Sequence, residues 1–163
     1  MRWVVDGYNL IRRDPDLSAR ESLTLETGRT ALLHRLAPVA RRLGDEFTVV
    51  FDGARREGAD PSGGQIRVMF SRPPESADDV VIRLAGQWRE GVVIVSSDRT
   101  VQTAARRAGA TVLSSEQFMS AITVGADAEG EEEDARPSKR GNPRRASPAE
   151  RAVGRALRRL RGV

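Results

Sequence analysis

Short apolar runs alternate with segments of helical periodicity over the first 124 residues. Apolar side chains that recur every three or four positions predict helices over about 24–43 and 76–88. Further helices are predicted over 98–109 and from residue 115 to about 123, and strands over 2–5, 47–51, 66–70, 92–95 and 111–113. The run over 92–95 is wholly apolar, as in parallel strands covered on both faces. The order β-α-β-β-α-β-α-β-α predicts a three-layer α/β domain with a mostly parallel five-stranded sheet.

The composition changes sharply after residue 124. Residues 125–135 contain six acids and no base, whereas residues 136–163 contain ten bases and one acid. Apolar residues are too few there to build a core, so residues 125–163 are predicted to be a disordered tail, first acidic and then basic. Within it, apolar spacing over 148–161 predicts a short amphipathic helix. The folded domain is accordingly predicted to span 1–124.

Several classes of protein and site are excluded by residue content. The chain has no cysteine, so disulfides and cysteine-based metal sites are absent. Its one histidine, His34, gives little support to a Ser–His–Asp scheme. Neither a P-loop nor a strand-linked G-x-G-x-x-G motif occurs, which argues against nucleotide sites. No signal peptide and no apolar run of about 18 residues is present, so we expect a cytoplasmic protein without a membrane partner.

Aspartates follow the predicted strands at their carboxyl ends. Asp6, Asp52 and Asp98 each come at or just after a strand, and Asp78 opens the helix after the third strand. Ligands of open α/β sheets bind at this edge, so Asp6, Asp78 and Asp98 are expected to converge. Clustered carboxylates repel one another unless a cation lies between them. Oxygen ligands select Mg²⁺ or Mn²⁺, although each aspartate taken singly also fits a turn or a helix cap.

Four motifs occur in a fixed order along the chain, and together they resemble one family. They are Val4-Val5-Asp6-Gly7-Tyr8-Asn9-Leu10, Val49-Val50-Phe51-Asp52-Gly53, Ser76-Ala77-Asp78-Asp79 and Ser96-Ser97-Asp98-Arg99. Over about residues 1–122 the chain resembles the YacP-like NYN domains, a branch of the PIN-like nucleases. The resemblance implies a PIN-like α/β fold, a Mg²⁺ or Mn²⁺ site and endoribonuclease activity.

The resemblance also implies roles for individual residues. Asp6, Asp78 and Asp98 correspond to metal ligands, and Asn9 is their neighbour in the site. An acid on the first long helix often completes such sites; Glu26 is the first candidate and Glu21 the second. Asp52 is either a ligand, a support for the ligands or a residue that shapes the turn, whereas Asp79 is expected to cap its helix.

Arginines near the same edge, the single tyrosine and the basic half of the tail are candidate RNA contacts. They are Tyr8, Arg55, Arg56, Arg72, Arg99, Arg144, Arg145, Arg151 and Arg155. For Tyr8, packing beneath the first turn is as good an interpretation as stacking on a base. The expected partner is single-stranded or mRNA-like RNA, with the ribosome as a further candidate.

Three functions remain open at this stage. The first is a metal-dependent endoribonuclease, the second is a catalytically silent RNA-binding adaptor on the same fold, and the third is a structure-specific DNA nuclease. The complete set of aspartates argues against the adaptor, whereas no residue distinguishes RNA from DNA.

Overall fold

Five parallel strands form the central sheet. A computed structural model describes residues 1–53, 64–127 and 147–162. The strands are β1 (Arg2–Asp6), β2 (Glu46–Phe51), β3 (Ile66–Phe70), β4 (Val92–Val95) and β5 (Thr111–Leu113). Within the described residues they lie in the order β3-β2-β1-β4-β5, and every neighbouring pair is parallel. The prediction of an α/β fold with a parallel five-stranded sheet is confirmed.

Helices cover both faces of this sheet. They are α1 (Gly7–Arg13), α2 (Pro15–Glu21), α3 (Leu25–Leu43), α4 (Ala77–Trp88), α5 (Arg99–Arg107), α6 (Ser115–Asp127) and α7 (Pro148–Arg161), with a 3-10 turn at Arg89–Gly91. Side chains alternate between the faces, so Trp3 and Val5 pack with α1, α2, α3, α6 and α7, while Val4 packs with α4 and α5. Among the described helices, none combines the length and the apolar character needed to cross a membrane.

The segment after β1 is helical, whereas the sequence pattern predicts no helix before about residue 24. Asp6 caps α1, because its carboxylate accepts a hydrogen bond from the Asn9 N–H at 3.2 Å. Both α1 and α2 have only seven residues, too few for apolar periodicity to show in the sequence. Glycine is required at position 7, since a Cβ there would overlap the Phe51 ring.

The short helix predicted over 148–161 forms as α7 and packs on the domain. Its Ala156 and Leu160 are fully buried in the same core as Trp3 and Phe118. The helix before it, α6, also continues beyond residue 124. The domain boundary predicted at 124 is therefore corrected, since a helix from the predicted tail completes the core of the domain.

A buried carboxylate, Asp45, fixes α7 to the start of the sheet. Arg159 of α7 donates to both of its oxygens at 2.6 and 2.7 Å, and the Trp3 indole and the Met1 amine donate at 3.0 and 2.7 Å. Burial alone would raise the pKa of Asp45, but these donors together lower it to about 2. Asp45 is 1% exposed, so losing one partner would leave a charge uncompensated inside the protein.

We expect Asp45→Asn to lower the free energy of unfolding at pH 7 by about 2 kcal/mol. The pKa of Asp45 is lower in the folded chain than in the unfolded one. The ionised carboxylate therefore contributes fully to the free energy of unfolding above about pH 4, and this contribution is lost as the pH falls toward 2. Urea unfolding from pH 2 to pH 7 measures this, and the difference between the variant and the wild type should shrink in acid.

Glu46→Gln is the matched control, because Glu46 is the next residue and forms an exposed ion pair with Arg2 at 3.1 Å. Exposed pairs contribute little, so this variant should unfold within about 0.5 kcal/mol of the wild type. An equal loss in both variants would show that the buried cluster at Asp45 has no special role.

Candidate functional site

The candidate site lies at the carboxyl ends of β1 and β4, where the strand order reverses. Open α/β sheets bind ligands at this point. Asp6 ends β1, and Ser96 follows β4 directly. The Ser96 hydroxyl donates to Asp6 Oδ2 at 3.0 Å and accepts from the Asp98 N–H at 3.1 Å. Ser96 therefore links two of the predicted metal ligands.

Asp6 is the most deeply buried acid of this edge, with 5% of its surface exposed. Burial raises its pKa to about 6, against the lowering effect of hydrogen bonds from the Asn9 N–H and Ser96. The charges of Asp78 and Asp52 raise it further. The carboxylate is thus buried with other negative charges nearby, a setting in which a cation would stabilise its ionised form.

Asp78 lies on the first turn of α4 and is exposed. Partial desolvation and the charges of Asp98, Asp52 and Asp79 raise its pKa. Its carboxylate has no hydrogen-bond donor within the described part of the chain, so both oxygens are available. Its neighbour Asp79 differs, because it closes the predicted capping box with Ser76.

Asp98 and Asp52 each use one carboxylate oxygen within the fold. Asp98 Oδ1 caps α5 and accepts from the N–H groups of Thr100 and Val101 at 2.7 and 3.0 Å. Asp52 Oδ1 accepts from the Ser71 hydroxyl at 2.8 Å and from the N–H of Ala77, the first residue of α4, at 2.7 Å. Asp52 therefore joins the ends of β2 and β3 to the helix that carries Asp78.

These acids fit a partly hydrated divalent ion. Within residues 1–53, 64–127 and 147–162, no group of three or more acids or histidines forms a ready ligand cluster. Mg²⁺ in phosphate-processing sites takes one or two protein carboxylates and completes its shell with water and substrate oxygens. The open oxygens of Asp78 and the buried charge of Asp6 supply donors of that kind.

The two candidates for a fourth acid lie at the end of α2 and at the start of α3. Glu26 is exposed on the first turn of α3, and the charges that raise the pKa values of Asp6 and Asp78 come from other aspartates. Glu21, the second candidate, forms an ion pair with Arg12 at 3.4 Å.

An acid that the sequence analysis did not select, Glu116, lies beside Asn9. The Asn9 side-chain oxygen accepts from the Ser97 N–H at 2.8 Å and from the Ser115 hydroxyl at 3.0 Å. Glu116 accepts from the Ser97 hydroxyl at 2.6 Å and pairs with Arg13 at 3.6 Å. Glu116 lies in the first turn of α6, the helix after β5, just as Asp78 lies in the first turn of α4, the helix after β3. This shared position in the sequence pattern could have pointed to Glu116.

The predicted RNA contacts at the sheet edge differ in their exposure to solvent. Tyr8 is 9% exposed, its ring packs against Phe51, and Arg12 lies over it, so packing beneath the first turn is the observed role. Arg72 and Arg99 are exposed. Arg55 and Arg56 fall outside the described residues.

Two of the predicted tail contacts, Arg151 and Arg155, lie on α7. Arg144 and Arg145 fall outside the described residues, and Arg151 and Arg155 are exposed on α7. Arg155 lines a groove with Glu90 and Gly109, which precede strands β4 and β5. This part of α7 therefore lies toward the amino ends of the strands, away from the aspartates.

In metal-free buffer at pH 7, we expect Asp6→Asn to raise the free energy of unfolding by about 1 to 3 kcal/mol. The pKa of Asp6 is higher in the folded chain than in the unfolded one. The protonated group therefore stabilises the folded chain fully below about pH 4, and this stabilisation is lost as the pH rises through 6. Asparagine caps a helix as well as aspartate does. Urea unfolding in EDTA from pH 4 to pH 8 tests this; a variant less stable than the wild type at pH 8 would contradict it.

Comparison with known proteins identifies the family of the chain. Residues 3–161 match the model of the YacP-like NYN domain. The chain belongs to the YacP-like NYN domain family. The match extends through α7, in agreement with the packing of that helix on the core. Membership of this family gives the chain a nuclease-type fold.

Relatives of the family are found in Bacillus subtilis. The chain is 27% identical over 121 residues to the uncharacterized protein YacP of strain 168, a match that covers 71% of each chain. It is also similar to crystal structures of Rae1 (YacP), with a TM-score of 0.62 at 23% identity, covering 99% of this chain and 82% of the other. A mutant of Rae1 gives a TM-score of 0.61 at 21% identity, with 99% and 96% covered. These likenesses confirm the fold.

Proposed function

We propose that this NYN domain protein is a metal-dependent endoribonuclease that hydrolyses phosphodiester bonds in single-stranded RNA. One observation carries the proposal: aspartates lie together at the edge where such sheets bind ligands, since Ser96 is bonded to both Asp6 and the Asp98 N–H, and Asp52 is bonded to the start of the helix that carries Asp78. A structural role for these acids would not require them to lie together, because like charges in one place destabilise a fold.

Asp6, Asp78 and Asp98 would hold Mg²⁺ or Mn²⁺. When bound, the ion offsets the charge of the scissile phosphate and makes water more acidic. Asp78 offers two open oxygens and Asp98 one, and Ser96 holds Asp98 next to Asp6. Asp52 keeps the start of α4 in place through Ala77. The acids thus occupy fixed positions on three different elements.

The substrate would approach from the carboxyl edge of the sheet. The amino-terminal ends of α4, α5 and α6 point to this edge, and their dipoles favour phosphate. Arg72 and Arg99 are exposed after β3 and at the start of α5, where each could contact a neighbouring phosphate.

The deciding experiment incubates the full chain with internally labelled single-stranded RNA, or with DNA of the same sequence, in Mn²⁺, Mg²⁺ or EDTA. We expect internal cleavage of RNA with either ion and none in EDTA. Preferred cleavage of DNA would make the protein a DNA nuclease. RNA binding without cleavage under every condition would make it a silent adaptor.

Binding of the ion can be followed without any substrate. A ligand that binds only the folded state at about 100 times its Kd adds about 2.7 kcal/mol to stability. We therefore expect Mn²⁺ to raise the Tm of the wild type and of Glu26→Gln, but not of Asp6→Asn. The Glu26 variant is the control, because Glu26 is an exposed acid of α3. If Glu26→Gln also loses the shift, the ion binds at α3 or at both places.

A further inference from the structure

The orientation of the Asn9 side chain is fixed by its neighbours. A backbone N–H can only donate, and the N–H of Ser97 lies 2.8 Å from the Asn9 side-chain oxygen. The oxygen also accepts from the Ser115 hydroxyl at 3.0 Å. A carbonyl oxygen has two lone pairs, so both are in use. This atom is therefore poorly suited to be a metal ligand.

The other end of the amide, Nδ2, remains available. It has no acceptor within the described residues, yet it is not among the buried polar atoms that lack a partner. It is consequently at least partly exposed to solvent, and its two N–H bonds can donate. The backbone N–H of the same residue donates to Asp6 Oδ1 at 3.2 Å, which places Asn9 directly beside the acids.

Glu116 completes the network that holds Asn9. The Ser97 hydroxyl donates to Glu116 Oε2 at 2.6 Å and accepts from the Ser115 N–H at 3.0 Å. Ser97 and Ser115 are thereby fixed to each other, and both face the Asn9 oxygen. A charge-assisted bond as short as that between Ser97 and Glu116 is of the stronger kind. Arg13 of α1 pairs with the second oxygen of Glu116 at 3.6 Å.

We infer that Asn9 Nδ2 donates a hydrogen bond to a non-bridging oxygen of the substrate phosphate, and that Glu116 is a positioning residue which sets this donor through Ser97. The inference rests on the proposed function, because the aspartates and their ion bring the phosphate to this edge. A phosphate oxygen only accepts, and Nδ2 only donates, so the two are complementary. A neutral donor also serves the substrate anion without competing with the ion for the carboxylates.

Asn9→Asp and Asn9→Ala distinguish two roles of Asn9, a hydrogen-bond donor to the phosphate and a metal ligand. Aspartate keeps the oxygen that accepts from Ser97 and Ser115 but replaces the donor with an acceptor. We expect both variants to keep the Mn²⁺-induced rise in Tm. Their affinity for uncleaved RNA, measured with Ca²⁺ in place of Mn²⁺, should fall roughly ten- to a hundred-fold, as for a lost hydrogen bond to a charged group.

Two results would overturn the donor role. Asn9→Asp binding RNA as tightly as the wild type would show that no donor is needed there. Loss of the Mn²⁺ shift in Asn9→Ala, with recovery in Asn9→Asp, would show that the residue is a metal ligand. The proposed function fails in a different way, since the wild type itself would then cleave no RNA with any ion.

A double-mutant cycle tests the positioning role of Glu116. Glu116→Ala should lower kcat for RNA cleavage roughly ten-fold, as for residues that orient the groups of an active site. Glu116→Gln keeps an acceptor for the Ser97 hydroxyl and should restore most of the rate. In the Asn9→Ala background, Glu116→Ala should have no further effect, because coupled residues are not additive. A full additional loss there, or failure of Gln to restore the rate, would leave Glu116 a merely structural residue.

Discussion

Asp78→Asn is expected to lower the rate of RNA cleavage at saturating Mn²⁺ by roughly a hundred- to a thousand-fold. The carboxylate has both oxygens open, and its pKa is raised by partial desolvation and by the charges of Asp98, Asp52 and Asp79. Asparagine keeps the shape but removes the charge that would hold the ion. The fold should survive, because Ser76 and Asp79 cap the helix without Asp78. Single-turnover cleavage of labelled RNA measures the effect.

The neighbouring residue provides a matched control for this loss. Asp79→Asn alters another exposed carboxylate one position along, whose Oδ2 accepts from the Ser76 hydroxyl and N–H at 2.7 and 2.9 Å. It should cut RNA at close to the wild-type rate. An equal loss in the two variants would mean that the general negative charge at the start of α4 matters and that Asp78 has no particular role.

Deleting residues 147–163 is expected to lower the free energy of unfolding by roughly 5 kcal/mol or more, most of the stability of a domain of this size. The deletion uncovers the core around Trp3 and Phe118, where Ala156 and Leu160 are fully buried. It also removes the Arg159 partner of buried Asp45. Urea unfolding followed by circular dichroism measures the change.

Single substitutions separate packing from charge in this helix. Leu160→Ala should lower the free energy of unfolding by about 3 kcal/mol, as for other buried leucines. Arg161→Ala, at the next position and exposed, should stay within about 0.5 kcal/mol of the wild type. A deletion variant that unfolds at the same urea concentration as the full chain would mean that α7 is only loosely attached in solution.

The elements of the sheet and the aspartates could be predicted from the sequence because their signals are local. The apolar run Val92–Val95 is covered on both faces, and the Ser76–Asp79 capping box occurs as the spacing indicates. The aspartates at or after the ends of β1, β2 and β4 also indicate the edge at which the candidate site lies. Each of these features depends on residues that lie close together in the chain.

The features that could not be predicted depend on distant parts of the chain. Arg159 has its partner, Asp45, 114 positions earlier in the chain, beyond the reach of any local pattern. Glu116 and Asn9 are joined only through Ser97 and Ser115, residue types that are common in any loop or helix start. Periodicity predicts which face of a helix is apolar, but it does not predict which element that face packs against.

The docking of α7 also sets the order in which the domain can be completed. The chain is synthesised from its amino terminus, so β1 and Asp45 leave the ribosome long before Leu160 and Arg159 exist. Until then Trp3 lies in an unfinished core, and the Asp45 carboxylate lacks its guanidinium partner. The aspartates of the candidate site all lie within residues 6–98. The packing that stabilises this part of the domain is complete only when α7 has been synthesised. Folding of the candidate active site is thus completed by a helix from the far end of the chain.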